Sequence, residues 1–101
     1  MIAVIFEITP NEGRTHDYFD TAAALKDEVE AIDGFISVER FESLSTPGKY
    51  LSLSLWRDEG AVKAWRENVN HQAAQAKGKG GIFANYRIRV TEVVRQYSFG
   101  A

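Results

Sequence analysis

Apolar and polar positions alternate along the chain in segments of two kinds. Residues 2–8 are apolar on both sides of an extended strand: Ile2, Val4, Phe6 and Ile8 project one way, Ala3 and Ile5 the other, and only Glu7 interrupts. A strand of that kind is buried on both faces. Thr9 in capping position, Pro10 in a first turn and Glu12 at capping-box spacing predict a helix starting soon after, with Gly13 blurring the start. Tyr18, Ala22, Leu25, Val29 and Ile32 then recur at steps of three and four, one helical stripe ended by Asp33-Gly34.

"FISVERFES" (35–43) and "KYLSLSLWR" (49–57) predict two strands joined by "STPG", where Pro47-Gly48 suits a type II turn, so the pair forms an antiparallel hairpin. In the second of them Leu51, Leu53 and Leu55 share one face and Ser52, Ser54 and Trp56 the other. Asp58 is an N-cap for a second helix, with Glu59 favourable in its first turn and Ala61, Val62, Trp65 and Val69 as its apolar stripe. Asn68 and Asn70 make a poor helix interior, so a kink or break is expected there. A further helical piece, residues 71–78, ends at Gly78. "YRIRVTEVVRQY" (86–97) is the expected last strand.

The order β-α-β-β-α-β is the ferredoxin-like α+β pattern, with both helices on one face of a four-stranded antiparallel sheet. The other face is left bare, yet the first strand is apolar on both sides. A small monomer rarely exposes a large apolar patch. A second copy of the sheet is the simplest cover, so the expected assembly is a homodimer with two sheets facing each other. Residues 1–101 are expected to form a single domain.

Charge narrows the partners. Net charge is -2 and the Lys and Arg residues are dispersed, so no basic face for nucleic acid is expected. No apolar run is long enough to span a membrane. "MIAVIFEITP" has no basic start or small-residue cleavage site and reads as a strand, not a signal peptide; with no cysteine in the chain, the expected setting is the cytoplasm. Glu7, Glu39, Arg87 and Arg89 interrupt otherwise apolar strands, which predicts acid–arginine pairing in the sheet or across a dimer, or an arginine that orients a substrate.

The chemistry-bearing residues are few. His16 and His71 lie far apart, with no metal-binding spacing and no G-x-S-x-G elbow. "GKGG" (78–81) lacks P-loop spacing and follows a helix instead of opening one; a helix stop and flexible loop is the expectation. His71 is the side chain in this region whose ordinary pKa suits proton transfer near neutrality, and it shares a helix face with Gln75. The plainer possibility is a helix histidine making one hydrogen bond beside solvent. Phe6, Phe41, Trp56, Trp65, Phe83, Tyr86 and Tyr97 are expected to be mostly core, some of them lining a cavity for a flat aromatic ligand.

With "IDGFISVERFES", "LSLWRDEGAVKAWRENVNHQAAQ" and "FANYRIRVTEVVRQY", the chain resembles the antibiotic biosynthesis monooxygenase family over nearly its whole length. The arrangement from Trp56 to Gln75 carries most of that resemblance. It implies a dimeric α/β barrel built from ferredoxin-like protomers. It also implies a cofactor-independent monooxygenase oxidising a small aromatic or phenolic substrate with O2, His71 serving as base and Trp65, Gln75, Tyr86, Arg87 and Phe6 holding the substrate. A heme-degrading branch would place an Asn, a Trp and a His where this chain has Phe6, Trp65 and Gln75. Phenylalanine cannot donate a hydrogen bond and a glutamine amide is a poor iron ligand, so heme is disfavoured and no cofactor is expected. The same fold is also compatible with a non-catalytic ligand-binding or stress-related dimeric module, or with a small-metabolite isomerase, because fold does not fix function.

Overall fold

The computed structural model describes residues 1–100, the side chains at Val69 and Gly78 excepted. The elements are β1 (Ile2–Pro10), α1 (Thr15–Ala24), α2 (Lys26–Glu30), β2 (Phe35–Glu42), β3 (Tyr50–Trp56), α3 (Glu59–Arg66), α4 (Val69–Lys77), a π-helical turn (Gly78–Ile82) and β4 (Phe83–Glu92). Each expected helix is a pair of shorter ones, and the β-α-β-β-α-β order stands. The strands lie in the order β2-β3-β1-β4, every neighbour antiparallel. This is the ferredoxin-like α+β fold, and within one chain the sheet is open, with β2 and β4 as its edges.

Cross-strand partners share a face of a sheet, so the register sorts the side chains. One row runs Arg40, Ser52, Phe6, Ile88; the next runs Val38, Ser54, Val4, Val90. These rows belong to the helix-covered face, where Ile2, Trp56 and Ala61 form one core cluster and Ile8, Tyr18 and Ile82 another. The alternate positions, Ala3, Ile5 and Glu7 on β1 with Leu51, Leu53 and Leu55 on β3, form the opposite face, which no helix covers. Glu7 is ion-paired there with Arg89 and Lys49, and the Arg89 hydrogen bond is the chief reason its carboxyl sits below the usual range. The expected acid–arginine pairing is thus Glu7 with Arg89. Glu39, Phe41 and Arg87 stand exposed on the same face.

Several boundaries differ from the sequence expectation. Thr9 and Pro10 do not begin a helix: β1 runs on through Pro10, which pairs with Phe83 across an irregularity. Pro10 tolerates a strand end because it gives up only one ladder donor. The Asn11 side-chain amide donates to the carbonyls of Gly81 and Phe83, and α1 starts at Thr15. The long stripe breaks at Leu25, which ends α1 and opens α2. The hairpin turn is as expected: Lys49 N donates to Thr46 O at 3.1 Å, with Gly48 at φ 87°. Asp58 caps α3, its carboxylate accepting from Ala61 N at 2.9 Å. "GKGG" continues the helix as a π turn, reversing at Gly81 (φ 153°), instead of forming a plain loop. β4 begins at Phe83 and stops at Glu92, so residues 93–97 lie outside it; Tyr97 is 86% exposed and Phe41 45%, and neither is core.

Candidate active site

The expected break separates α3 from α4 at Glu67 and Asn68, and the site follows from it. In an unbroken helix the carbonyl of Trp65 would accept from the backbone four residues on. Here Asn68 N folds back to it at 3.0 Å, and the His71 ring reaches it as well, Nδ1 lying 3.1 Å from the same oxygen. Asn68 acts as the cap of α4: its side-chain oxygen accepts from His71 N at 2.9 Å and its carbonyl from Gln72 N at 2.9 Å. The imidazole therefore stacks on the Trp65 indole, centroids 4.6 Å apart and planes 23° from parallel.

These contacts set which ring nitrogen carries the hydrogen. A carbonyl oxygen only accepts, so His71 Nδ1 carries a hydrogen, and in the neutral ring Nε2 keeps its lone pair. The Gln75 amide nitrogen lies 3.5 Å from Nε2, long for a hydrogen bond. Burial lowers the His71 pKa below its ordinary 6.5, and the Trp65 carbonyl pulls weakly the other way. The result is a neutral, half-buried base.

His71 and Gln75 line a cavity of about 590 Å³ between the helices and the sheet. Val4, Phe6, Ser52, Ser54, Ile88 and Val90 are its floor; Trp65 and Tyr18 belong to its walls. It is open along β4, where Ile88 and Val90 are each 48% exposed. Of the residues singled out from the sequence, His71, Trp65, Gln75, Tyr86 and Phe6 all line this space. Arg87 does not. It pairs in register with Glu7 on the helix-free face, because its neighbours Tyr86 and Ile88 take the cavity side.

Three lining groups escape a reading of the sequence: Tyr18, Arg40 and the serines of β3. Tyr18 looks like one more member of a helical stripe. Arg40 carries a signal, since it stands two residues from Val38 and so shares its face. The Tyr18 hydroxyl is buried with no hydrogen-bond partner among the described residues. Burial raises its pKa, and the nearby Arg40 guanidinium, which is placed to donate toward the phenol oxygen, offsets part of the rise. Among the described residues no group of three His, Asp or Glu side chains is placed to hold a metal ion.

This combination of open ferredoxin-like sheet, broken second helix and apolar cavity agrees with the comparisons. The antibiotic biosynthesis monooxygenase profile matches residues 1–77, and the chain belongs to that family. It is 45% identical over 93 residues to a Pyricularia oryzae protein named jasmonate monooxygenase ABM, covering 92% of this chain and 43% of that one. The chain thus spans less than half the length of that relative. It is 33% identical over 97 residues to the uncharacterized protein YqjZ of Bacillus subtilis, covering 96% of this chain and 82% of that one. In fold it matches Rv0793 of Mycobacterium tuberculosis with TM-score 0.84 at 18% identity, covering 96% and 98% of the two chains. A Deinococcus radiodurans protein matches with TM-score 0.86 at 16% identity over the whole of both chains.

Proposed function

We propose that the protein is a cofactor-independent monooxygenase that oxidises a small aromatic, phenolic substrate with O2 and works as a homodimer. The observation that carries this reading is the neutral His71 imidazole, its Nε2 lone pair unprotonated at the edge of an apolar cavity. Nε2 takes the phenolic proton, and the electron-rich phenolate then reduces O2 itself. In the overall reaction one oxygen atom enters the ring as a carbonyl and the other leaves as water, the substrate supplying all the electrons. The protein contributes a base, orientation between Trp65 and Phe6, and partial exclusion of water.

Heme does not suit this donor set. Gln75 stands where a ligating histidine would be needed, and the neighbouring His71 is held against Trp65 by its stack and its Nδ1 hydrogen bond. The family membership supports monooxygenase chemistry, and the name of the Pyricularia relative adds jasmonate as a second compound to try.

The test is oxygen uptake with product analysis on anthrones, hydroquinones and jasmonate. Quinone formation by the native protein, lost in His71→Ala at unchanged fold, is the expected result. Failure of every phenol ends the phenolic reading. A small molecule that copurifies unchanged in native mass spectrometry would favour a non-catalytic binding module instead.

A further inference from the structure

Every Asp, Glu, Lys or Arg side chain that lines the cavity is a cation. Arg40, Arg66 and Lys79 are among the lining residues, and no Asp or Glu is. The chain as a whole carries a net charge of -2, so this sorting of sign runs against the composition. Lys79 lies over the Tyr86 ring, 6.0 Å from its centroid. Arg66 lies in the last turn of α3, where a basic side chain offsets the helix dipole. Arg40 has no such local purpose. It stands on edge strand β2 at the end of the row Arg40, Ser52, Phe6, Ile88, exposed, with its side facing the cavity floor.

Tyr18 supplies the second observation. It is 5% exposed, it lines the same cavity, and its hydroxyl has no hydrogen-bond partner among the described residues. A buried hydroxyl without a partner is costly, and a native protein seldom retains one without a use. The Arg40 guanidinium lies near it and can only donate. The phenol oxygen can accept as well as donate, but its own hydrogen has no acceptor among the described residues and the guanidinium only donates, so an acceptor from outside the chain would satisfy both groups together. The adjoining Ser52 hydroxyl, directly across from Arg40, adds a third donor to that corner.

We propose that this corner is a carboxylate subsite, and that the ligand of the cavity is a flat apolar molecule bearing a carboxylate held by Arg40 and the Tyr18 hydroxyl. An arginine fork matches a carboxylate with two parallel hydrogen bonds, and a phenol adds a charge-assisted one. The acid group would be anchored at the β2 side while the apolar body lies over Phe6, Ile88 and Val90. The inference rests on the proposed function only in placing the substrate in this cavity; it concerns recognition, and holds whether or not the ligand is oxidised.

The experiment measures binding without oxygen, so that failure of catalysis and failure of recognition are separable. Two probes of matched shape are titrated against the intrinsic fluorescence of Trp56 and Trp65, both of which line the cavity: 1-naphthaleneacetate and its neutral primary amide. The native protein is expected to bind the carboxylate about 10-fold or more tightly than the amide, as charge-assisted hydrogen bonds would give. Arg40→Gln and Tyr18→Phe should each erase most of that preference, weakening carboxylate binding far more than amide binding. Tyr18→Phe should also melt no lower than the native protein, since it deletes an unpaired buried hydroxyl, which a merely structural role would not allow. Equal binding of the two probes by the native protein overturns the proposal. So does a preference that survives both variants but disappears in Arg66→Gln or Lys79→Gln.

Discussion

His71 and Trp65 are joined twice: ring on ring at 4.6 Å, and ring nitrogen to backbone carbonyl at 3.1 Å. The first contact sets the plane of the imidazole and the second its tautomer. Together they leave Nε2 as the free end, which is what a base requires.

The acid limb of activity should therefore belong to His71. Burial holds its pKa below 6.5, so the neutral form persists into mildly acidic solution, and kcat/KM should fall only with an apparent pKa below that value. In His71→Asn the limb should vanish along with about 100-fold or more of the rate. The stability effect has a definite sign. Below pH 6.5 the unfolded chain binds the proton before the folded one does, so native stability falls as pH drops and is restored above 6.5. Denaturant midpoints measured from pH 5 to 8 check this, and in His71→Asn that component of the dependence should be absent.

Removing the cap of α4 should loosen the same ring from a distance. Asn68→Ala deletes the acceptor for His71 N and should cost about 1 kcal/mol. For a domain of this size that is a fall in Tm of roughly 4–8 °C. Activity should drop further than the lost stability explains, because the imidazole orientation goes with the cap. Asn68→Asp, which keeps an accepting oxygen, should restore most of both. Thermal melts and steady-state rates separate the two effects.

On the helix-free face, a charge at the centre of the leucine row should prevent the proposed homodimer. Leu53 lies between Ile5 on β1 and Glu39 on β2. Light scattering on the column eluate should give a dimer for the native protein and a monomer for Leu53→Glu, since an unpaired buried carboxylate is strongly penalised. A native protein that elutes as a monomer at micromolar concentration would remove the dimer from the proposal.

The sheet is legible in the sequence because its signals are local and redundant. The alternation in residues 2–8 and 49–57 assigns Val4, Phe6, Ser52 and Ser54 to one face and Ile5, Leu51 and Leu53 to the other, and the register bears out each assignment. Asp58 and the asparagine break are equally local. What fails is a competition between local and distant partners. Thr9, Pro10 and Glu12 have helix-start chemistry, but β4 offers the strand a longer ladder, and Asn11 is drawn to Gly81 and Phe83, some seventy residues on. The break at Leu25 contains neither proline nor glycine and leaves no mark in the pattern. His71, Trp65, Gln75, Tyr86 and Phe6 share one cavity, while Arg87 has the residue type of a substrate-orienting group but alternates with Tyr86 and Ile88 and so faces the other way. Tyr18 is invisible for a different reason, since a missing hydrogen bond cannot be read from residue order.

β1 has a consequence for how the gene can change. Ile2, Val4, Phe6 and Ile8 serve the cavity and the core, while Ala3, Ile5 and Glu7 serve the opposite face, with strands bonded on both edges. Losing a single codon inside this strand would turn Glu7 toward the cavity and Phe6 away from it. Length variation is thereby confined to the surroundings of the strand, and only substitution can act within it.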